Sequence, residues 1–158
     1  MENIYDQQIS LLNSLMEINY DRAEGYHKAA EIVEEDNLKS LFAKLSNQSF
    51  NFAEELTEYV NLMGGEPNCD NSTFGKSYRL WMDVAGLFSG KSTKELLVCC
   101  EQAEKNAVHV YDVFLNDEDA YMLSIECIAI IQEQMAHLKI ANQKIRRLNE
   151  IYSKSKVY

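Results

Sequence analysis

Breakers are scarce in this chain, and that scarcity most narrows what it can fold into. Pro67 is the only proline, and glycine numbers 6 in 158 residues. Proline and glycine are the strongest interruptions of regular structure, so their confinement to a few places leaves long stretches free to be helical. Leu, Ala, Glu, Lys, Gln and Met, all good helix formers, fill those stretches. The expectation is an all-α protein. At 158 residues it fits one domain, residues 1–158, large enough to bury a core without staples.

Apolar periodicity divides the chain into four long helices and one short one. The first is expected from Tyr5 to Glu34, with Asp6 as N-terminal cap and a stripe of Ile9, Leu12, Met16, Asn19, Ala23, Tyr26, Ala30 and Val33. A polar break at Glu34 to Asn37 is short enough to make the second helix, Asp36 to Met63, its antiparallel neighbour. That helix carries Phe42, Leu45, Ser49, Phe52, Leu56, Tyr59 and Met63, and Gly64 and Gly65 close it. The loop at Glu66 to Asn71 leads into a shorter helix, Ser72 to Phe88, capped by Ser72 or Thr73 and ended by Ser89, Gly90 and Lys91. Its position suits a crossover along the outside of a bundle.

Ser92 and Glu95 form a capping box for the third long helix, whose stripe is read as Leu97, Glu101, Glu104, Val108, Tyr111 and Leu115. A tight turn at Asn116 to Asp119 then leads to a fourth long helix, Asp117 to Tyr152. Two acids on a buried stripe need a reason, because an enclosed carboxylate is costly unless it is paired, hydrogen-bonded, protonated or metal-bound. Folding the helices about their turns brings Asn19 and His27, Ser49 with Gln48, Glu101 and Glu104, and Gln134 to roughly one level. The expectation is one polar layer across an otherwise apolar core.

Two chemistries fit such a layer. In one it is a hydrogen-bond network that fixes helix register, with Asn19, Ser49 and Gln134 as donors to the acids. In the other it is a metal site of the iron or manganese carboxylate kind, with Glu24, His27, Glu101 and Glu104 as ligands and Gln134 orienting them. Glu24-Gly25-Tyr26-His27 is a Glu-x-x-His and Glu101 to Glu104 a Glu-x-x-Glu, so each pair lies on one helix face. The set falls short of a two-metal template, since the second long helix has no histidine and His137 turns away from its stripe. Trp81 and its neighbours read as core or dimer contacts.

The net charge of -10 argues against nucleic acid and anionic membranes as partners. Lys139, Lys144, Arg146 and Arg147 are the best basic cluster, and cations there answer a helix macrodipole. No stretch is apolar enough to span a bilayer or to serve as an export signal, so a cytoplasmic location is expected. Cys69, Cys99, Cys100 and Cys127 show no metal or disulfide spacing. Hydrolase and phosphate-loop motifs are absent too.

Beyond these patterns, the chain resembles a bacterial ferritin-like family of unknown function, domain of unknown function 2383. The resemblance is carried by Leu12-Asn13-Ser14-Leu15, Asp21 with Gly25-Tyr26, and Leu62-Met63-Gly64-Gly65-Glu66-Pro67. Gly75, Tyr78-Arg79-Leu80-Trp81-Met82, Cys100-Glu101-Gln102-Ala103-Glu104, Tyr111 and Gln134 complete it. It implies a ferritin-like up-down four-helix bundle with a short crossover helix between the second and third long helices, and no established activity. Tyr78 and Asn142-Gln143 stand where members of the family often have histidine or His-Asp. The expected function is a non-catalytic, homodimeric bundle without a cofactor, acting through binding or a structural role, with a stress link by fold analogy alone. The alternative is the metal-binding bundle with weak oxidase or iron-handling activity.

Overall fold

The computed structural model describes residues 3–70, 75–86 and 92–154, and among them every regular element is helical. The helices are α1 (Asp6–Ile32), α2 (Asp36–Leu62), α3 (Lys76–Gly86), α4 (Thr93–Leu115) and α5 (Ile125–Lys154), with a single-turn 3-10 segment at Glu118–Met122. α1 packs along α2 and α4 along α5, while α3 lies on α1 and α4.

Hydrogen bonds between the ends fix the directions. The Asn3 side chain donates to the Met63 carbonyl, and Gln8 donates to the carbonyl of Asp119, so the start of α1 lies beside the end of α2 and the turn after α4. At the opposite end the Thr93 hydroxyl donates to Glu35 in the α1–α2 turn. α2 and α4 therefore run the same way, and the chain must travel the length of the molecule between them. It does so along α1: Asn68 donates to Glu17, Ser77 to Asp21, and Trp81 lies against Gly25.

Local chemistry explains most boundaries. Gly64 takes φ 78 after α2, a conformation that side chains resist. The capping box at Ser92 and Glu95 is present in both directions. α1 differs from expectation at its start, where Tyr5 is the cap residue with no side-chain bond and Asp6 sits in the first turn, favourable to the dipole. The expected caps at Ser72 or Thr73 and the stop at Ser89 to Lys91 lie outside the described residues.

The α4–α5 connection departs most. The fourth long helix was expected to begin at Asp117, yet the chain makes a 3-10 turn there and α5 begins only at Ile125. Two short-range bonds account for this. The Asp117 carboxylate accepts from the Asp119 N–H, drawing the backbone into the tighter turn, and the Ser124 hydroxyl accepts from the Cys127 N–H at the head of α5. The longer connection moves every α4–α5 pairing along.

Two apolar clusters fill the interior. Leu12, Leu15, Met16, Phe52, Leu56 and Ile131 belong to one, and Val33, Phe42, Leu45, Trp81, Leu97 and Ile145 to the other. Between them lies a belt of buried polar side chains.

Candidate functional site

The belt is built from stripes that share every second position with those that apolarity alone suggests and differ from them by one residue at the rest. On α1 the buried series is Leu15, Asn19, Arg22, Tyr26, Ala29 and Val33, and on α4 it is Leu97, Cys100, Glu104, Ala107, Tyr111 and Phe114. Both keep alternating steps of three and four. Small residues take the innermost positions of α4, while Glu101 falls to the edge and Arg22 to the centre.

Arg22 and Glu104 are the heart of it, both with side chains wholly inaccessible. Arg22 Nε donates to Glu104 Oε1 at 2.6 Å and Nη2 to Oε2 at 2.8 Å, a bidentate pair. Nη1 donates to Ser49 Oγ at 2.7 Å and to Gln48 Oε1 at 3.0 Å. The guanidinium also lies 5.3 Å from the centre of the Tyr26 ring, within cation–π range. Burial by itself would lower the Arg22 pKa, but the facing carboxylate and its hydrogen bond outweigh that and hold it raised. The Arg22 guanidinium therefore keeps its charge in the interior.

From Arg22 the bonds run on without a gap. Ser49 Oγ donates to Asn19 Oδ1 at 3.0 Å, and Asn19 Nδ2 donates to the Tyr111 hydroxyl at 2.7 Å. Tyr111 donates in turn to Gln134 Oε1 at 2.7 Å, and Gln134 Nε2 donates to Glu55 Oε1 at 3.1 Å. Glu55 is exposed. One chain of polar contacts thus joins all four long helices and leads from a sealed carboxylate to the surface. Such a chain ties the helices to one register and leaves none of its members unsatisfied.

Neighbouring groups feel the buried charge. Burial first, then the Glu104 carboxylate, push the Tyr26 hydroxyl and the Cys100 thiol well above their ordinary values. Burial likewise raises Tyr111. All three stay neutral and act as dipoles.

The residues expected as metal ligands are placed apart. Glu24 lies 3.4 Å from Lys28 on a partly exposed face, and the His27 side chain is 71% exposed and 3.5 Å from Glu31. Glu101 Oε1 accepts from Asn149 Nδ2 at 2.8 Å, with Arg146 at 3.9 Å. Glu104 alone of the four is in the belt. No group of three or more His, Cys, Asp and Glu among the described residues could hold a metal ion. The donor set does not fit a dinuclear centre, since Glu104, the one enclosed carboxylate among the four expected ligands, has both oxygens on a guanidinium.

Of the expected polar layer, the structure brings Asn19, Ser49, Glu104 and Gln134 together and leaves Glu101 out. Glu101, expected at the level of Gln134, meets Asn149 because α5 starts later than Asp117. Arg22 and Tyr111 were missed as members. Arg22 had a visible signal, three residues from Asn19 and four from Tyr26, masked by reading Ala23 as the apolar member of the stripe.

Fold and site together define an all-helical protein whose long helices are clamped by a buried, charge-paired hydrogen-bond chain. Residues 7–117 match the family model described as a domain of unknown function (DUF2383), and the chain belongs to that family. The match spans α1 to α4, so Gln134 and Asn149 on α5 lie beyond it. No curated protein matches the chain.

Proposed function

We propose that the protein is a single-domain, ferritin-like four-helix bundle that acts by binding and by structure, without catalysis. The helix order supports the ferritin-like assignment: two antiparallel pairs joined by a crossover that runs the length of the molecule. One observation carries the functional reading. The Arg22 guanidinium lies in the polar belt between the two apolar clusters and engages both oxygens of Glu104. Arginine cannot be deprotonated in a protein, so this cation is permanent and Glu104 needs no other.

Function then belongs to the surface. Around the start of α1 and the end of α2, Ile4, Leu62, Tyr121, Met122 and Ile125 are all more than half exposed. A groove of about 530 Å³ there is lined by Tyr59, Leu62, Met63, Met122, Leu123 and Cys127 among others. Apolar side chains concentrated at one end favour burial against a second copy, and a homodimer through this end is part of the proposal. No helix among the described residues is long and apolar enough to cross a membrane.

Elemental mass spectrometry of protein purified without chelator or affinity metal tests the reading. The expected result is no stoichiometric iron, manganese or zinc. Stoichiometric metal that disappears in a Glu101→Ala, Glu104→Ala variant would overturn it. Light scattering should give a dimer mass that falls to the monomer in Leu62→Glu, Ile125→Glu.

A further inference from the structure

Helix α5 turns Cys127, Ile131, Gln134, Leu138, Ala141 and Ile145 inward. On its opposite side Ala129, Ala136, Ile140 and Ile151 fall on one strip, each within about 40° of Ile140 around the wheel. All four are exposed, Ile140 at 61% and Ile151 at 53%, and Ile125 at the edge of the strip is exposed at 85%. Glu126, Glu133, Lys144, Arg147 and Lys154 share the strip and are exposed too. An apolar line flanked by charges, left open on a helix of 30 residues, has the pattern of a helix-pairing seam.

Its spacing is symmetric about Ile140. Ala136, Glu133, Ala129 and Glu126 stand 4, 7, 11 and 14 residues before it, and Lys144, Arg147, Ile151 and Lys154 stand at the same distances after it. The two acids thus precede Ile140 and the three cations follow it. The helix dipole favours such an order only in the end turns, whereas Glu133, Lys144 and Arg147 stand about two turns or more inside. Lys144, Arg147 and Lys154 form no ion pair with any described residue, and Glu133 has His137 of its own helix 4.0 Å away. A strip whose charge reverses about its midpoint complements itself when turned end for end.

We propose that two copies of the chain pair antiparallel along α5, about a two-fold axis at Ile140. The pairing rests on the homodimer reading and carries the contact from Ile125 along the whole helix. Ile140 meets Ile140 of the second copy. Glu133 faces Arg147 of the second copy, Glu126 faces its Lys154 and Ala129 its Ile151, and the two-fold axis makes each contact twice. Ala129 and Ala136 let the backbones approach closely. Charge complementarity selects this orientation over pairing groove to groove. Glu58 and Glu126 line the groove at the start of α5, with no lysine or arginine among its described lining, so two such grooves would press like charges together.

Dimer dissociation constants, measured by light scattering over a dilution series at constant ionic strength, test the orientation. Glu133→Arg and Arg147→Glu each set like charges face to face and should weaken pairing roughly tenfold or more. An equimolar mixture of these two variants should pair as tightly as the unaltered protein, because each copy then offers the charge that the other needs. A short bismaleimide should join two copies through Ile140→Cys in a Cys69→Ser background, which removes the exposed native thiol, and should not join the background alone. A monomer at every concentration would overturn the homodimer reading and this pairing together. A dimer that Leu62→Glu, Ile125→Glu dissociates, but that both charge variants leave intact and Ile140→Cys does not cross-link, would keep the homodimer and overturn the antiparallel α5 contact. A mixture that pairs no more tightly than its components would overturn that contact as well.

Discussion

Arg22 and Glu104 stand 82 positions apart in sequence and meet through two hydrogen bonds of 2.6 and 2.8 Å, with no solvent access to either side chain. An ion pair so enclosed has given up its hydration, and removing one partner leaves the other charge stranded. Glu104→Gln is therefore expected to destabilise the fold by about 3–5 kcal/mol in urea unfolding. Arg22→Met, Glu104→Leu, which removes both charges, should recover most of that loss. If the double variant is as unstable as the single ones added together, the pair is not coupled and the network is misread.

Tyr111 links two halves of the chain of contacts, accepting from Asn19 and donating to Gln134. Tyr111→Phe keeps the ring and leaves the Asn19 amide and the Gln134 carbonyl each short of a partner. A loss of about 1–3 kcal/mol is expected, with a lower melting temperature in calorimetry. An unchanged melting temperature would mean that water takes the place of the hydroxyl.

Gly25 sits against Trp81, and a Cβ built on it would lie 2.8 Å from Trp81 Cε3 and 3.0 Å from the Trp81 backbone oxygen. The helix gains from alanine by propensity, so any loss must come from this contact. Gly25→Ala should lower stability by about 1–3 kcal/mol and shift Trp81 fluorescence as α3 lifts from α1. A stabilised variant would contradict the close approach.

Alkaline pH should weaken the fold through its buried acids. Burial pushes the Cys127 thiol from 9.0 up to about 11, and burial together with the nearby Glu104 carboxylate also raises Cys100 and Tyr26. A raised folded value favours the protonated form in the native state. The stability it contributes is full below pH 9 and shrinks as pH climbs from 9 toward 11, because the unfolded chain releases its protons first. Unfolding free energy measured from pH 8 to 11 should fall over that window. In native protein the exposed Cys69 should react with a thiol reagent well before Cys100 or Cys127.

Much of this was already determined by the sequence. The placement of Pro67 and Gly64-Gly65, the Ser92–Glu95 box and the three-four spacing of apolar residues are local properties, so helix number, order and most ends follow from them. The register of α1 on α2 also follows, because their turn is short: Ser49 meets Asn19 as folding about Glu35 requires. The α4–α5 register does not, since Asp117 and Ser124 reshape that connection through hydrogen bonds of a few residues' range. Only tertiary packing decided which of two adjacent stripes turned inward. Helices approach most closely over small residues such as Cys100, Ala103 and Ala107, and that rotation carried Glu104 to the centre and Glu101 to the rim. An arginine is read from sequence as a surface residue, and Arg22 is buried only because a carboxylate 82 positions away arrives at the same point.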